Sequence, residues 1–212
     1  ASLTFFLENV DRATVFADTS DPYFRRWAER GIASGRLHPT MPQVYMLEGF
    51  RPGSVFFNTV TVTGVDGTDL DTLVAGTALA RQRVLQLVRY LQEEVPGFEH
   101  SRLSRLGPTL GVRETRRLEG RYRLTYDDIA AGTKFGDGVV ACDNPLDEVF
   151  RDESVTEYSH EAALARGDYY TIPFRCLVPQ RVTNLLFAGR DASFDVTAFA
   201  SIRGMPQCMA MG

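Results

Sequence analysis

NLLFAGRDASFDVTAFASIRGMPQCMAMG, residues 184–212, joins an apolar run, a glycine exit and a helix start at the end of a 212-residue chain. Leu185, Leu186, Phe187 and Ala188 make the short unbroken apolar run expected of a strand buried on both faces, and Gly189 lets the backbone leave it sharply. Arg190 follows at the strand's carboxyl end. In open α/β sheets ligands bind beyond the carboxyl ends of strands. A helix N-terminus there offers free N–H groups to a phosphate or to a carbonyl gaining negative charge. The reading expects that helix to open over Ser201–Pro206.

Working back along the chain, Tyr169–Phe174 and Val139–Cys142 are further strand candidates, and Thr125-Tyr-Asp-Asp128 reads as an N-capped short helix ending by Gly132. Residues 144–167 are charged and read as a surface connection, with a helix at His160–Ala165. A boundary is expected near Gly107-Pro108, dividing the chain into 1–107 and 108–212.

The first part patterns differently. Leu3–Leu7 is a short apolar strand candidate. Asp21-Pro22 supplies an N-cap and a first-turn proline for a helix whose face carries Phe24, Trp27 and Ala28, with Gly31 and Gly35 at its end. Gln43–Glu48 and Ser54–Thr63 are rich in β-branched and aromatic residues, and Arg51-Pro52-Gly53 between them predicts a hairpin. Over Asp69–Glu94 the residues Leu73, Thr77, Ala80, Val84, Leu87, Val88 and Leu91, continued by Val95, recur at helical spacing, while Arg81, Arg83, Arg89 and Glu93 take the remaining surface. Pro96-Gly97 stops this helix, and Arg102–Leu106 returns as a strand. The class is α+β: a mixed or antiparallel sheet with one long covering helix.

Composition excludes several functions. The net charge of -4 and scattered arginines argue against a nucleic-acid partner. No apolar run approaches the ~20 residues of a membrane span. Cys142, Cys176 and Cys208 lie too far apart for a zinc pair or a redox Cys-x-x-Cys, and read as reduced, mostly buried thiols of a cytoplasmic protein. His38, His100 and His160 stand singly, so no metal site is expected. There is no Ser-His-Asp set and no P-loop.

The candidate chemistry sits on arginines and glycines. GVRETRR, Gly111–Arg117, packs three arginines and a glutamate into seven residues. If Val112–Leu118 is extended, Arg113 and Thr115 face one side, Glu114 and Arg116 the other. For Arg116 and Arg117 the preferred reading is that one of them pairs with Glu114 at a domain surface; Arg113 reads as structural or functional alike. Arg175 ends the Tyr170–Phe174 strand and is placed to hold a substrate anion or to satisfy loop carbonyls. Phe57 and Asn58 offer an apolar and a hydrogen-bonding group on the hairpin. Met209 and Met211 read as core packing.

NLLFAGR and SIRGMPQCMAMG, together with GVRETRR and YYTIPFRCLVP (Tyr169–Pro179), resemble the C-terminal half of the FAD-dependent oxidoreductase family. That family has a glutathione-reductase-type FAD fold related to the fumarate reductase flavoproteins. The similarity is strongest from about Thr59 onward. It implies that residues 1–107 are a substrate-binding domain and 108–212 the C-terminal portion of an α/β FAD-binding domain. It implies that Arg113 lies close to the flavin or the substrate carboxylate, and with Arg175 from its strand-end position it makes the pair of catalytic candidates. It implies FAD contacts from Gly189 and Arg190, and from Ser201, Arg203, Gly204 and Met205 at the helix start.

One departure counts: no Gly-x-Gly-x-x-Gly occurs, so the element that holds the ADP half of FAD is missing and the chain reads as a fragment, inactive by itself. The expected partners are a small-molecule substrate and either a homo-oligomer or the missing N-terminal half, since strands left without neighbours expose open edges. The rival reading is a cofactor-free binding module.

Overall fold

The computed structural model describes residues 1–144, 164 and 167–212. Apart from Leu164, the helix expected at His160–Ala165 lies outside the described residues. Two compact units, 1–112 and 113–212, divide the chain.

The first unit is a four-stranded antiparallel sheet with a long helix across one face. Its elements are β1 (Ser2–Glu8), α1 (Arg12–Val15), α2 (Arg25–Ala33), β2 (Met46–Glu48), β3 (Val55–Thr61), α3 (Leu70–Glu94) and β4 (Arg102–Leu106). The strand order is β2-β3-β1-β4. Alternation along β1 buries Leu3, Phe5 and Leu7 and leaves Thr4, Phe6 and Glu8 half-exposed on the other side. Phe5 and Phe57 are register partners on the covered face and their rings stack 4.6 Å apart. The pair belongs to the α3 core, so Phe57 is not a ligand-facing residue as the sequence suggested; its neighbours Phe56 and Asn58 occupy the open face.

α3 forms where its periodicity predicts. Asp69 caps it by accepting a hydrogen bond from the Asp71 amide at 2.9 Å, and Val95 ends it before Pro96-Gly97. Ala80, Val84, Leu87, Val88 and Leu91 are buried against the sheet; each valine or leucine so buried contributes roughly 1.5–3 kcal/mol. Arg83 departs from the expected surface position and is only 4% exposed. Its guanidinium donates to the Thr61 carbonyl (2.6 Å) and Thr40 Oγ1 (3.2 Å) and lies 3.0 Å from His38 Nε2. Those acceptors replace the water it gives up, and they account for His38 as a structural residue.

α2 begins three residues later than its Asp-Pro signal. Asp21 accepts hydrogen bonds from the Arg25 and Arg26 amides at 2.9 and 3.0 Å, while Phe24, at φ 52°, turns the chain into the helix. Pro22 therefore lies outside it. The first unit also runs past Pro108, because Gly111 and Ser2 exchange both backbone hydrogen bonds, at 2.7 and 3.0 Å.

The second unit contains α4 (Tyr126–Ala130), β5 (Gly138–Cys142), β6 (Tyr170–Pro173), a 3-10 turn at Phe174–Leu177, α5 (Val196–Ile202) and α6 (Met205–Met211). β5 and β6 form an antiparallel pair. A full capping box at Thr125 and Asp128 starts α4. Around the pair, Leu124, Ile129, Tyr170, Ile172, Cys176, Phe194, Ala198, Phe199 and Ile202 make the core.

The expected strand at Leu185–Ala188 does not form. These residues have no ladder partner among the described strands, and Leu185 and Leu186 are 47% and 60% exposed. Only Phe187 turns inward, its amide donating to the Leu177 carbonyl at 3.0 Å. A strand buried on both faces needs neighbours to take its N–H and C=O groups, and none lies beside this run among the described residues. Met209 is likewise 78% exposed, against the expectation of core packing, whereas Met211 is buried: α6 turns position 209 to solvent and 211 inward. Among the described residues no helix is long and apolar enough to cross a membrane.

Candidate functional site

Three chain segments of the second unit meet where the sequence placed its cofactor residues. Gly189 holds φ +108°, a conformation that side chains other than hydrogen rarely adopt, and a Cβ there would find only Asp191 Oδ1, 3.8 Å away. Apart from its chain neighbours no other atom stands within 4 Å of that position, although the residue itself is buried. Arg190 is exposed and donates from Nη1 to the Arg113 carbonyl at 3.2 Å. The Leu118 amide donates to the Asp191 carbonyl at 2.8 Å, so the GVRETRR segment lies along the 189–191 turn.

That segment is bent at Thr115 rather than extended, and the two-faced arrangement of Arg113 and Thr115 against Glu114 and Arg116 does not arise. Instead Glu114 and Arg117 pair at 3.0 Å, three residues apart. Arg117 also lies over the Phe199 ring of α5, 5.8 Å from its centroid. Its other terminal nitrogen, Nη1, is buried without a hydrogen-bond partner. The Glu114 pairing is the structural role that the sequence suggests for Arg117; its unmet buried donor, which costs on the order of 1–3 kcal/mol, carries no sequence signal.

The helix start expected over Ser201–Pro206 is a helix junction. α5 ends at Ile202, Arg203 is its C-cap, Gly204 is the N-cap of α6, and Met205-Pro206 opens α6. Ser201 therefore sits in the last turn of α5. It is fully buried, its hydroxyl 2.7 Å from the Tyr170 hydroxyl and donating to the Asn144 carbonyl. Burial holds the Tyr170 hydroxyl well above its ordinary range. Met205 is 80% exposed. Gln207, in the first turn of α6, has a buried Oε1 with no donor; a Cβ at position 204 would lie 2.3 Å from that oxygen, so a larger residue there would push the Gln207 side chain aside. Cys208 lies near both Arg190 and Asp191, and burial is the main cause that raises its thiol pKa.

Arg175 is not brought to this junction. Its Nε donates to Asp137 Oδ2 at 2.9 Å, and its guanidinium lies 4.9 Å from the Tyr122 ring centroid and 5.9 Å from that of Phe135. The Asp137 hydrogen bond raises its pKa further. For Asp137, desolvation pulls upward, but the hydrogen bonds from Arg175 outweigh it and hold the carboxyl below its ordinary value. Burial pushes the neighbouring Cys176 thiol up to about 12. Desolvation and the Asp128 hydrogen bond push Tyr122 up to about 12. The side chain of Arg175 is thus held by Asp137 and two rings.

Gly136-Asp137-Gly138 followed by Ala141 spells an alanine-ending dinucleotide fingerprint. It leads into β5 instead of joining a strand to a helix, so it presents no helix N-terminus to a phosphate. Among the described residues no His, Cys, Asp and Glu cluster could hold a metal.

The FAD dependent oxidoreductase family model matches residues 1–212. The chain belongs to the FAD-dependent oxidoreductase family. No curated protein and no solved structure matches it. For a member of this family the implied cofactor is FAD, and the junction's donors and acceptors can be tested against it. A guanidinium nitrogen and an amide oxygen, both buried and unmet, and a glycine that carries no side chain beside them suit a ligand that carries phosphate and carbonyl oxygens together with an imide N–H. The residues fit.

Proposed function

We propose that this chain serves hydride transfer between a small organic substrate and FAD, residues 1–112 binding substrate and residues 113–212 holding the flavin. When bound, the flavin supplies the two-electron chemistry. The chain's own residues bind and orient. Gly189 puts no side chain between its backbone and the cofactor, and Arg190 offers a positive charge to its phosphate or ribityl part. Arg203, Gly204 and Met205 form the α5–α6 junction against the ring, and Ser201 fixes that junction from beneath through Tyr170 and Asn144. Arg113 and Arg117 supply positive charge near the ring, where negative charge develops on reduction.

The observation that carries this reading is the meeting of the Arg113–Leu118 segment with the 189–191 turn, with the Arg117 Nη1 donor left unmet. Arg175 leaves the catalytic set, because its charge is already matched by Asp137. The ADP half of FAD is held elsewhere than in this chain, and residence in the cytoplasm belongs to the same proposal.

The test is an FAD titration of the chain followed by visible absorption, with Arg190→Ala and Arg117→Gln beside the native protein. Saturable uptake weakened at least about tenfold by either change is expected. A cofactor-free module would emerge colourless from gel filtration at every FAD concentration, and that result sinks the proposal.

A further inference from the structure

The open face of the first unit's sheet is apolar where a one-sided antiparallel sheet ordinarily meets water with polar residues. Register sets Leu47 of β2, Phe56 of β3 and Phe6 of β1 in one cross-strand row that ends on Arg105 of β4. The Phe6 and Phe56 rings lie 5.1 Å apart, and Leu47 is 49% exposed. The hairpin turn adds Phe50, whose side chain stands fully in solvent. Beside this row lies a recess of about 120 Å³, with Phe6 and Phe50 as apolar walls and Arg51 and Arg105 on its rim.

Charge in the recess is one-sided. Glu8 lines it too, but its carboxylate is paired with Arg102 at 3.2 Å, and Glu48 nearby on β2 is paired with Arg12. The Ser54 hydroxyl donates to the Arg51 carbonyl and the Ser104 hydroxyl to the Phe6 carbonyl, so both are spent on backbone. The Arg51 and Arg105 guanidiniums have no hydrogen bond, ion pair or ring contact among the described residues. Two unmatched cations beside a phenyl-lined recess remain for a ligand.

We infer that this recess binds a small carboxylate with a single-ring or short branched apolar body. The apolar part covers Phe6 and Phe50, and the carboxylate takes the guanidinium charge, by paired N–H donors where geometry allows. An amine would meet two like charges, and a polyhydroxylated phosphate would leave the apolar walls wet. As the substrate class for the proposed hydride transfer, the inference rests on that reading; as a binding site it does not.

The test is calorimetric titration of the 212-residue chain, without flavin, using benzoate as the probe, with benzamide as its uncharged counterpart and acetate as its ringless one. Saturable benzoate binding is expected, at least tenfold tighter than either control. Arg51→Ala and Arg105→Ala should each weaken it about tenfold, with circular dichroism unchanged, and Arg89→Ala on the exposed side of α3 should leave it as it is. Absence of benzoate saturation, equal binding of benzamide, or native affinity in both rim variants overturns the inference. Concentration-dependent self-association abolished by Phe50→Ser, without benzoate saturation, would assign the face to a second copy of the chain and also overturns it. Flavin uptake is read separately by absorption, so a chain that binds benzoate but no flavin defeats the hydride-transfer reading and leaves the recess standing.

Discussion

The long helix α3 and the short run Leu185–Ala188 are both apolar signals in the sequence, yet one forms as read and the other does not form at all. α3 satisfies its own backbone hydrogen bonds over 25 residues, so periodicity and a capping aspartate are enough to specify it once a sheet covers its apolar side. A four-residue strand satisfies none of its own. Its identity is decided by neighbours that the run itself does not encode.

The sharpest way to break this comparison is a pair of truncations. Phe57→Ala removes a fully buried ring stacked on Phe5 and should cost about 3–5 kcal/mol in urea unfolding. Leu186→Ala, at 60% exposure, should stay within about 0.5 kcal/mol. A loss of about 2 kcal/mol or more at Leu186 would show that the run is a buried strand after all.

Next in size is the helix start that makes α3 legible. Asp69→Ala removes the side chain that accepts from the Asp71 amide and should cost about 1 kcal/mol by thermal unfolding. A neutral result would mean that tertiary packing alone sets the start of α3.

A smaller effect separates the two units by pH. Burial holds Cys176 at a pKa of about 12 in the folded chain against an ordinary 9.0. Folding therefore favours the neutral thiol. The contribution is whole below about pH 9 and shrinks as pH rises from there toward 12. Native Cys176 should resist a thiol reagent at pH 8, and Cys176→Ala should flatten the alkaline decline in stability. Rapid labelling of native Cys176 would contradict its burial.

The smallest effect expected is on flavin affinity in Arg175→Ala, whose ion pair with Asp137 is exposed at both ends; exposed pairs are worth about 0–1 kcal/mol. Flavin affinity within twofold of native is the expected result, and a tenfold loss would return Arg175 to the site.

These contrasts explain what could be read in advance. The hairpin of β2 and β3, the strand β4, the capped helix α4 and the pair of β5 and β6 all carry local signals such as turn residues, alternation or a capping box, and all are present. Arg83 was misread because an arginine at helical spacing looks like surface until a carbonyl, a threonine and a histidine from other segments meet it. Phe57 proved to face the core because a one-residue choice of face is fixed by register, which pairing with β1 decides. In the candidate site, the sharp turn of the backbone at Gly189 was legible from a glycine that closes an apolar run. The division between α5 and α6 was not, since Ser201 and Gly204 differ in place only through where each helix packs. The unmet nitrogen of Arg117 depends on Glu114 and Phe199 together, and no spacing rule brings Phe199 to it.

The central claim is that the 189–191 turn, joined to Arg113 and lying along the segment that carries Arg117, is where this family member meets its flavin. The most direct measurement is the FAD affinity of the native chain, Arg190→Ala and Arg175→Ala, followed at the flavin's visible absorption band in one set of titrations. The account predicts saturable binding by the native chain, at least about tenfold weaker binding by Arg190→Ala and near-native binding by Arg175→Ala. No uptake by the native chain, or a loss confined to Arg175→Ala, would contradict it.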